Sequence, residues 1–139
     1  MQYDLNRFLV AQHFTYEKAI RELKNGYKDG HWMWFIFPQF QGLGKSQRAN
    51  FYSIKSIDEA KAYLEDEILG KRLIECCQIL LELPDRPIRK IFSHLDSLKL
   101  QSSMTLFFEV SKNQIFKKVL DKYFNGEEDK KTLKLIKNK

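Results

Sequence analysis

Residues 31–46 read HWMWFIFPQFQGLGKS, an aromatic block followed directly by a polar loop rich in glycine. The six residues after His31 are all apolar, so we expect them to be buried. The segment from Gly42 to Ser46 has too much glycine and polar character to lie in a core. A ligand pocket is most readily formed where such a block meets such a loop.

The aromatic block is predicted to be a short buried helix. Aromatic residues are frequent in strands, and periodicity alone cannot decide for so short a run. The block lacks strict alternation, however, and no other segment has the pattern of a partner strand. The helix has to end before Pro38, because the residue ahead of a proline is pushed out of the helical region.

Apolar residues at spacings of three and four predict further helices on both sides of this block. Asp4 is predicted to cap the first helix, and Asn25-Gly26 to end the second. A helix is expected to begin near Ser46. Ser56, with a glutamate three residues later, has the pattern of a capping box at the start of another.

The second half of the chain has the most regular helical pattern. Leucines recur between residues 69 and 83, and Pro84 ends this helix. Asp96 or Ser97 is predicted to cap a helix that runs to about residue 110, and two more follow over about 115–124 and 129–136. We therefore predict an all-α fold, a single compact domain of seven or eight short helices over residues 1–139.

The composition is that of a soluble globular protein, with 43% hydrophobic and 30% charged residues. No apolar run approaches the ~20 residues of a membrane span, and the first residues lack the apolar segment of a signal peptide. The adjacent Cys76 and Cys77 lie in an apolar helical run and are interpreted as buried thiols, which fits a reducing compartment. We expect a cytoplasmic protein without membrane association.

The net charge of +6 is concentrated near the C-terminus. Residues 110–139 hold nine lysines and four acidic residues, so the remainder of the chain is nearly neutral. A lysine-rich end, here about residues 127–139, is typical of a solvated helix when no aromatic residues are interleaved with the lysines. Nucleic-acid binding is therefore the less favoured interpretation of this charge.

The aromatic block supplies the first candidate site residues. His31 is the candidate catalytic residue because imidazole can transfer protons near neutral pH, although a histidine at a helix end is often only hydrogen-bonded to a carbonyl. Trp32 and Trp34 are candidates for stacking on a planar ligand, with core filling as the alternative. On a helix only one of the two lines a pocket readily, because residues two apart point away from each other. Gln39 is added as a polar candidate.

The loop and a later helix complete the candidate ligand-binding set. The sequence GLGKS at 42–46 matches only the end of a P-loop and has no strand before it. Its backbone N–H groups, with Lys45 and Ser46, would still suit an anion. Lys99, Ser102 and Ser103 share one helix face, for which close helix packing is the alternative explanation. No metal-ligand spacing is present, so neither a metal nor a cofactor is predicted.

These candidates lead to three hypotheses. The first is a pocket for a small planar or anionic metabolite such as a nucleotide, between the 31–46 segment and the helix containing residues 99–105. The alternative is a non-enzymatic module that binds protein or nucleic acid through the basic C-terminal helix. A third possibility is that the aromatic block forms a homodimer contact. Whether the protein catalyses a reaction stays open.

Six blocks of the sequence carry a family resemblance. They are HWMWFIFPQ at 31–39, GLGKS at 42–46, EAKAYL at 59–64, LGKRL at 69–73, KLQSSMTLF at 99–107 and VLDKYFNG at 119–126. In this order they resemble the bacterial domain-of-unknown-function 1810 family (DUF1810). The resemblance implies a mainly helical fold and no established activity, cofactor or catalytic residue. The label calpastatin, which members sometimes carry, does not fit, because calpain inhibition uses disordered repeats and this chain is repeat-free.

Overall fold

The computed structural model describes residues 3–137, and in that range the chain forms nine α-helices and one 3-10 helix. The 3-10 helix covers Ile88–Lys90. The α-helices are α1 (Asn6–His13), α2 (Tyr16–Lys24), α3 (Met33–Ile36), α4 (Gln47–Phe51), α5 (Ile57–Glu65), α6 (Leu69–Glu82), α7 (His94–Ser111), α8 (Gln114–Phe124) and α9 (Lys130–Lys137).

The helices are arranged around α7, which has 18 residues and packs against α3, α5, α8, α9 and the 3-10 helix. Eight of its residues are buried, so its middle is surrounded on all sides and forms the centre of the core. The predicted all-α class is confirmed. Residues 3–137 contain no strand, and a single isolated bridge joins Phe40 to Ile54. The nine α-helices in this range exceed the seven or eight predicted, and the shortest, α3 and α4, have four and five residues.

Helix caps follow local sequence signals in part. Ser56 caps α5 as predicted, with its Oγ accepting a hydrogen bond from the Glu59 N–H at 3.0 Å. The predicted Asp4 cap is wrong, because α1 begins after Leu5 without any side-chain cap. The predicted start of α7 is also wrong. Its N-cap is Ser93, whose Oγ accepts from the Asp96 N–H at 3.1 Å.

The aromatic block forms α3 and its flanks, and the helix ends before Pro38 as predicted. Trp32, Met33 and Phe37 are completely buried, whereas Trp34 is only half-buried. The block is thus core within its own chain, and it does not offer the continuous apolar surface that a homodimer contact would need.

The C-terminal helix α9 is docked on α7 rather than free. Thr132 is fully buried, and its Oγ1 lies 2.9 Å from Ser102 Oγ on α7. Leu135 and Ile136 pack against the core, which leaves the lysines on the solvent side. No helix within residues 3–137 combines the length and the apolar character needed to cross a bilayer.

Candidate functional site

The chain enters α3 through a turn that Glu22 holds in place. Its Oε1 accepts hydrogen bonds at 2.8 Å from the N–H groups of Asp29 and Gly30 and from Trp32 Nε1. Partial burial works to raise the pKa of the Glu22 carboxyl, but these three hydrogen bonds outweigh it, so the pKa is lowered. The ionised carboxylate therefore fixes the 27–31 turn and the first tryptophan together.

The two tryptophans have different environments. Trp32 is fully buried against the rings of Phe37 and Phe92, so its predicted role in ligand stacking is corrected to one in the core. Trp34 points the other way and lines a surface groove. Two cations lie over its indole, with Arg48 Cζ at 5.0 Å and Lys99 Nζ at 5.1 Å from the ring. This is the arrangement expected for residues two apart on a helical turn.

The groove beside Trp34 has a volume of about 480 Å³. Its walls are the 27–31 turn, the segment between Arg89 and Ser93 and the first turns of α7 as far as Lys99. The first two of these walls are joined by a hydrogen bond of 2.8 Å from the Lys28 N–H to the Ile91 carbonyl. This volume falls within the usual range of small-molecule sites.

A charged cluster of Lys28, Asp96 and Lys99 forms one side of the groove. Lys28 Nζ lies 2.8 Å from one Asp96 oxygen, and Lys99 Nζ lies 3.3 Å from the other. Partial burial acts to raise the pKa of Asp96, but the hydrogen bond and charge of Lys28, helped by Lys99, lower it overall. Asp96 is therefore ionised at neutral pH and neutralises one of the two lysines.

The two lysines differ in the use of their donors. Lys28 Nζ also donates to the Gly30 carbonyl and lies 5.1 Å from the Trp32 ring, and its side chain is only 8% exposed, so little of it is accessible to a ligand. Lys99 makes one long hydrogen bond, to Asp96, and keeps donors for another acceptor. Arg89 and His31 are exposed at the rim of the same groove. The arrangement can therefore accept an anion beside a half-buried indole.

The sequence of this chain matches a known protein family. Residues 2–136 match the family described as protein of unknown function DUF1810. The chain belongs to the DUF1810 family. This confirms the resemblance found in its sequence blocks.

Two relatives of this DUF1810 chain differ in how much of their own length it matches. A structure described as a conserved hypothetical protein, Rv1873 from Mycobacterium tuberculosis, is 47% identical, has a TM-score of 0.96 and shares 97% of both chains. The uncharacterised protein MG461 of Mycoplasma genitalium is 25% identical over 128 residues, which is 87% of this chain. The chain spans only 25% of the length of that relative. The same helical fold is thus present in a similar protein of solved structure.

In this DUF1810 chain, the groove brings together three predicted site residues, His31, Trp34 and Lys99. Ser102 and Ser103 share the α7 face of Lys99, but α7 enters the core within that turn and both serines are buried. Ser102 bonds to Thr132, and Ser103 Oγ has no hydrogen-bonding partner in the described part of the chain. Their predicted place in a ligand pocket is therefore corrected to the interior.

The glycine-rich loop also lies away from the groove walls. Ser46 caps α4 by accepting from the Ala49 N–H at 3.0 Å, and Lys45 is exposed to solvent. Gln39 uses its backbone carbonyl to accept from the Ile54 N–H at 2.8 Å, next to the isolated bridge. None of these three residues lines the Trp34 groove.

Several groove residues were not predicted from the sequence. The sequence pattern predicts Asp96 only as a helix cap, and it gives no site role to Tyr27, Lys28 or Arg89. The available signal was the cluster of charged residues immediately before the aromatic block. Within residues 3–137, no three histidine, cysteine or acidic side chains are placed to hold a metal ion.

Proposed function

We propose that the Trp34 groove binds a small planar, anionic metabolite such as a nucleotide. The observation that carries this proposal is the combination of a half-buried indole with a lysine, Lys99, whose hydrogen-bonding capacity is not filled. Such an indole offers a rigid stacking face. Lys99 and Arg89 offer charge for a phosphate or carboxylate.

Each groove residue has a defined part in this proposal. The planar group of the ligand stacks on Trp34, and the anion pairs with Lys99 and Arg89. Lys28 keeps Asp96 neutralised, so that the carboxylate does not repel the ligand. His31 lies at the rim, where its imidazole would donate or accept a proton if the ligand is a substrate.

The first test is a thermal-shift screen of nucleotides and phosphorylated metabolites on three variants and the wild type. A ligand at 100 times its Kd adds about 2.7 kcal/mol, which raises Tm by roughly 8–11 °C for a chain of this size. Trp34→Leu and Lys99→Met are expected to abolish most of this rise. Each shift is measured against the same variant without ligand, so that a change in intrinsic stability does not interfere.

Lys45→Met is the matched control, because it removes an exposed lysine that does not line the groove. It is expected to keep the full ligand-induced shift. A ligand whose shift is lost with Lys45→Met but kept with Lys99→Met would place binding at the glycine-rich loop and contradict the proposal. A panel without any stabilising compound would do the same.

A second candidate function is the binding of a polyanion, such as nucleic acid, by α9. Four lysines of this helix are exposed, and with Leu133 they surround one shallow depression (Lys130, Lys131, Lys134 and Lys137). A stripe of lysines on one helix face fits a phosphate backbone. It fits a membrane less well, because the apolar side of α9 is packed against the core.

The test for this candidate replaces Lys130, Lys134 and Lys137 with glutamine and measures binding to a labelled DNA duplex at several salt concentrations. Loss of three phosphate contacts is expected to reduce the slope of log K against log salt by about 2.7. Substitution is preferred to truncation, since removing α9 would expose the buried face of α7. An equal slope in wild type and variant would exclude α9 as the contact.

A cytoplasmic location is proposed on the state of the cysteines. Cys76 and Cys77 are both free and buried. Burial raises the pKa of the Cys76 thiol to about 12, so it stays protonated and unreactive. Free thiols of this kind are compatible with a reducing compartment. Fractionation of cells that express the tagged chain tests this directly.

A further inference from the structure

The Trp34 groove has a second accessible aromatic residue on its wall, Tyr27, whereas Phe92, which also lines it, is buried. Tyr27 is 62% exposed. An exposed ring of this kind is available for stacking.

The backbone that carries Tyr27 is held firmly. Gly26 precedes it with φ of +73°, and its carbonyl accepts a hydrogen bond of 2.8 Å from Arg86 Nη1. The positive φ favours glycine at this position, and a Cβ there would also lie 2.3 Å from the same Arg86 nitrogen. On the other side, Lys28 is bonded through its N–H to Ile91. The ring is therefore presented at the rim by a backbone anchored on both sides.

We infer that the ligand of this groove contains two planar groups joined through phosphate, one stacked on Trp34 and the other on Tyr27. This inference rests on the function proposed above and extends it to the class of ligand. Two aromatic platforms with cations at the same groove are the arrangement by which proteins bind two linked nucleobases. Lys99 and Arg89 line this groove and supply the positive charge for the phosphate linkage.

Two kinds of ligand contain two planar groups joined through phosphate. One is a free dinucleotide, and the other is the end of a single strand of nucleic acid. Isothermal titration calorimetry of the full chain distinguishes them with four probes. These are adenosine monophosphate, diadenosine diphosphate, the phosphodiester-linked dinucleotide ApA and a ten-residue oligoadenylate. Tighter binding of diadenosine diphosphate than of the oligoadenylate would identify a free dinucleotide, and the reverse order a strand end.

The second platform is tested by Tyr27→Ala. Stacking of one base is expected to make the wild type bind the better two-base ligand roughly 5- to 140-fold more tightly than the monophosphate. Tyr27→Ala is expected to remove this advantage and leave the affinity for the monophosphate unchanged. Tyr27→Phe is expected to retain the advantage, because the ring remains.

Phe14→Ala is the matched control, since Phe14 is an aromatic residue 87% exposed and outside the groove. It should change neither affinity. Equal affinities for one-base and two-base ligands in the wild type, or an unchanged ratio in Tyr27→Ala, would overturn the inference while leaving the proposed function in place. Binding of neither class would overturn both.

Discussion

Two clusters of oppositely charged side chains in this molecule differ in how many hydrogen-bond donors of their cations have a partner. In the first, Arg7 and Glu59 are almost completely buried, with side chains 6% and 3% exposed. Both Nη atoms of Arg7 bond to the Glu59 carboxylate, at 3.1 and 3.2 Å, and its Nε donates to the Phe51 carbonyl at 2.8 Å. Further bonds reach the carbonyls of Asp4 and Ser53, so no nitrogen of the guanidinium is left without a partner.

In the second cluster, the groove trio of Lys28, Asp96 and Lys99, one lysine has two oxygen partners and the other has one. Lys99 has a side chain 21% exposed, against 8% for Lys28. The comparison shows how the same kinds of groups serve two purposes. A closed cluster joins distant segments, here α1 to α5, whereas an open cluster retains capacity for a ligand.

The largest effect is expected where the closed cluster is broken. Arg7→Met leaves the Glu59 carboxylate buried without its cation and three backbone carbonyls without a donor. We expect the free energy of unfolding to fall by about 3–5 kcal/mol. Urea unfolding at pH 7, followed by circular dichroism, measures this loss.

Lys117→Met provides the reference for the closed cluster. Lys117 forms an exposed i,i+4 pair with Asp121 at 3.1 Å, and such pairs contribute about 0.3–0.5 kcal/mol. A loss with Arg7→Met that is no larger than this would show that burial of the Arg7–Glu59 pair has no special importance.

An intermediate effect is expected for Asp96→Asn in the groove. Because Lys28 is nearly buried and loses its counter-charge, we expect a loss of about 1–2 kcal/mol at pH 7. The pKa of Asp96 is held below its ordinary value of 3.8, so its contribution is present above that pH and is lost as the pH falls through the lowered pKa. The difference between variant and wild type should therefore shrink in acid.

Denaturation at a series of pH values checks this dependence. Glu22 also has a lowered pKa, so both proteins are expected to lose stability in acid and only their difference isolates Asp96. A difference that stays constant as the pH falls from neutral to well below 3.8 would show that the Asp96 charge is not responsible.

Glu109 and Glu128 form a third charged cluster, whose contribution to stability depends on pH in the opposite direction. Glu128, just before α9, has a buried Oε2 without a hydrogen-bonding partner among residues 3–137. Burial, together with the neighbouring Glu109 carboxylate, raises the pKa of Glu128 to about 7. When protonated, Glu128 can donate to Glu109. The folded state then binds more protons than the unfolded state between about pH 4.5 and 7, so stability falls as the pH rises through this window.

Glu128→Gln is expected to remove this dependence. At pH 8 the variant should be about 1 kcal/mol more stable than the wild type, a value reduced to allow for solvent screening, and near pH 5 the two should be equal. Thermal denaturation at both pH values measures the difference. A constant difference would mean that the two carboxyl groups do not share a proton.

Local features of the sequence predicted a large part of the fold. Ser56 caps a helix that begins at the next residue, and Pro38 limits the backbone of the residue just before it. Both effects are local in sequence, so this cap and this helix end could be predicted correctly. Asp4 failed as a cap because its carboxylate is not used at the start of α1, which has no side-chain cap at all. At α7 the cap is Ser93 rather than the predicted Asp96 or Ser97, although Ser93 caps by the same chemistry as Ser56.

The site was predictable only where its residues lie close together in sequence. His31 and Trp34 belong to one block, and helical spacing already implied that one tryptophan would be buried. Lys28 and Asp96 meet through the tertiary fold, and a single sequence carries no record of that pairing. Ser102 and Ser103 show why their burial could not be predicted. Periodicity indicates which face of a helix a residue occupies, but not how deeply that face lies in the core.

The smallest effect is expected for Lys99→Met, and it sharpens the comparison most. Methionine can keep a packing contact with Trp34, and the bond that is lost is long and partly exposed, so stability should change by less than about 0.5 kcal/mol. Lys28→Met, in the same cluster, should cost about 1–2 kcal/mol because a nearly buried pair is broken. Equal losses in urea unfolding would show that Lys99 contributes to the stability of the fold as much as Lys28 does. A small loss for Lys99 alone, together with the loss of ligand binding, would mean that this lysine is held in the groove for its ligand.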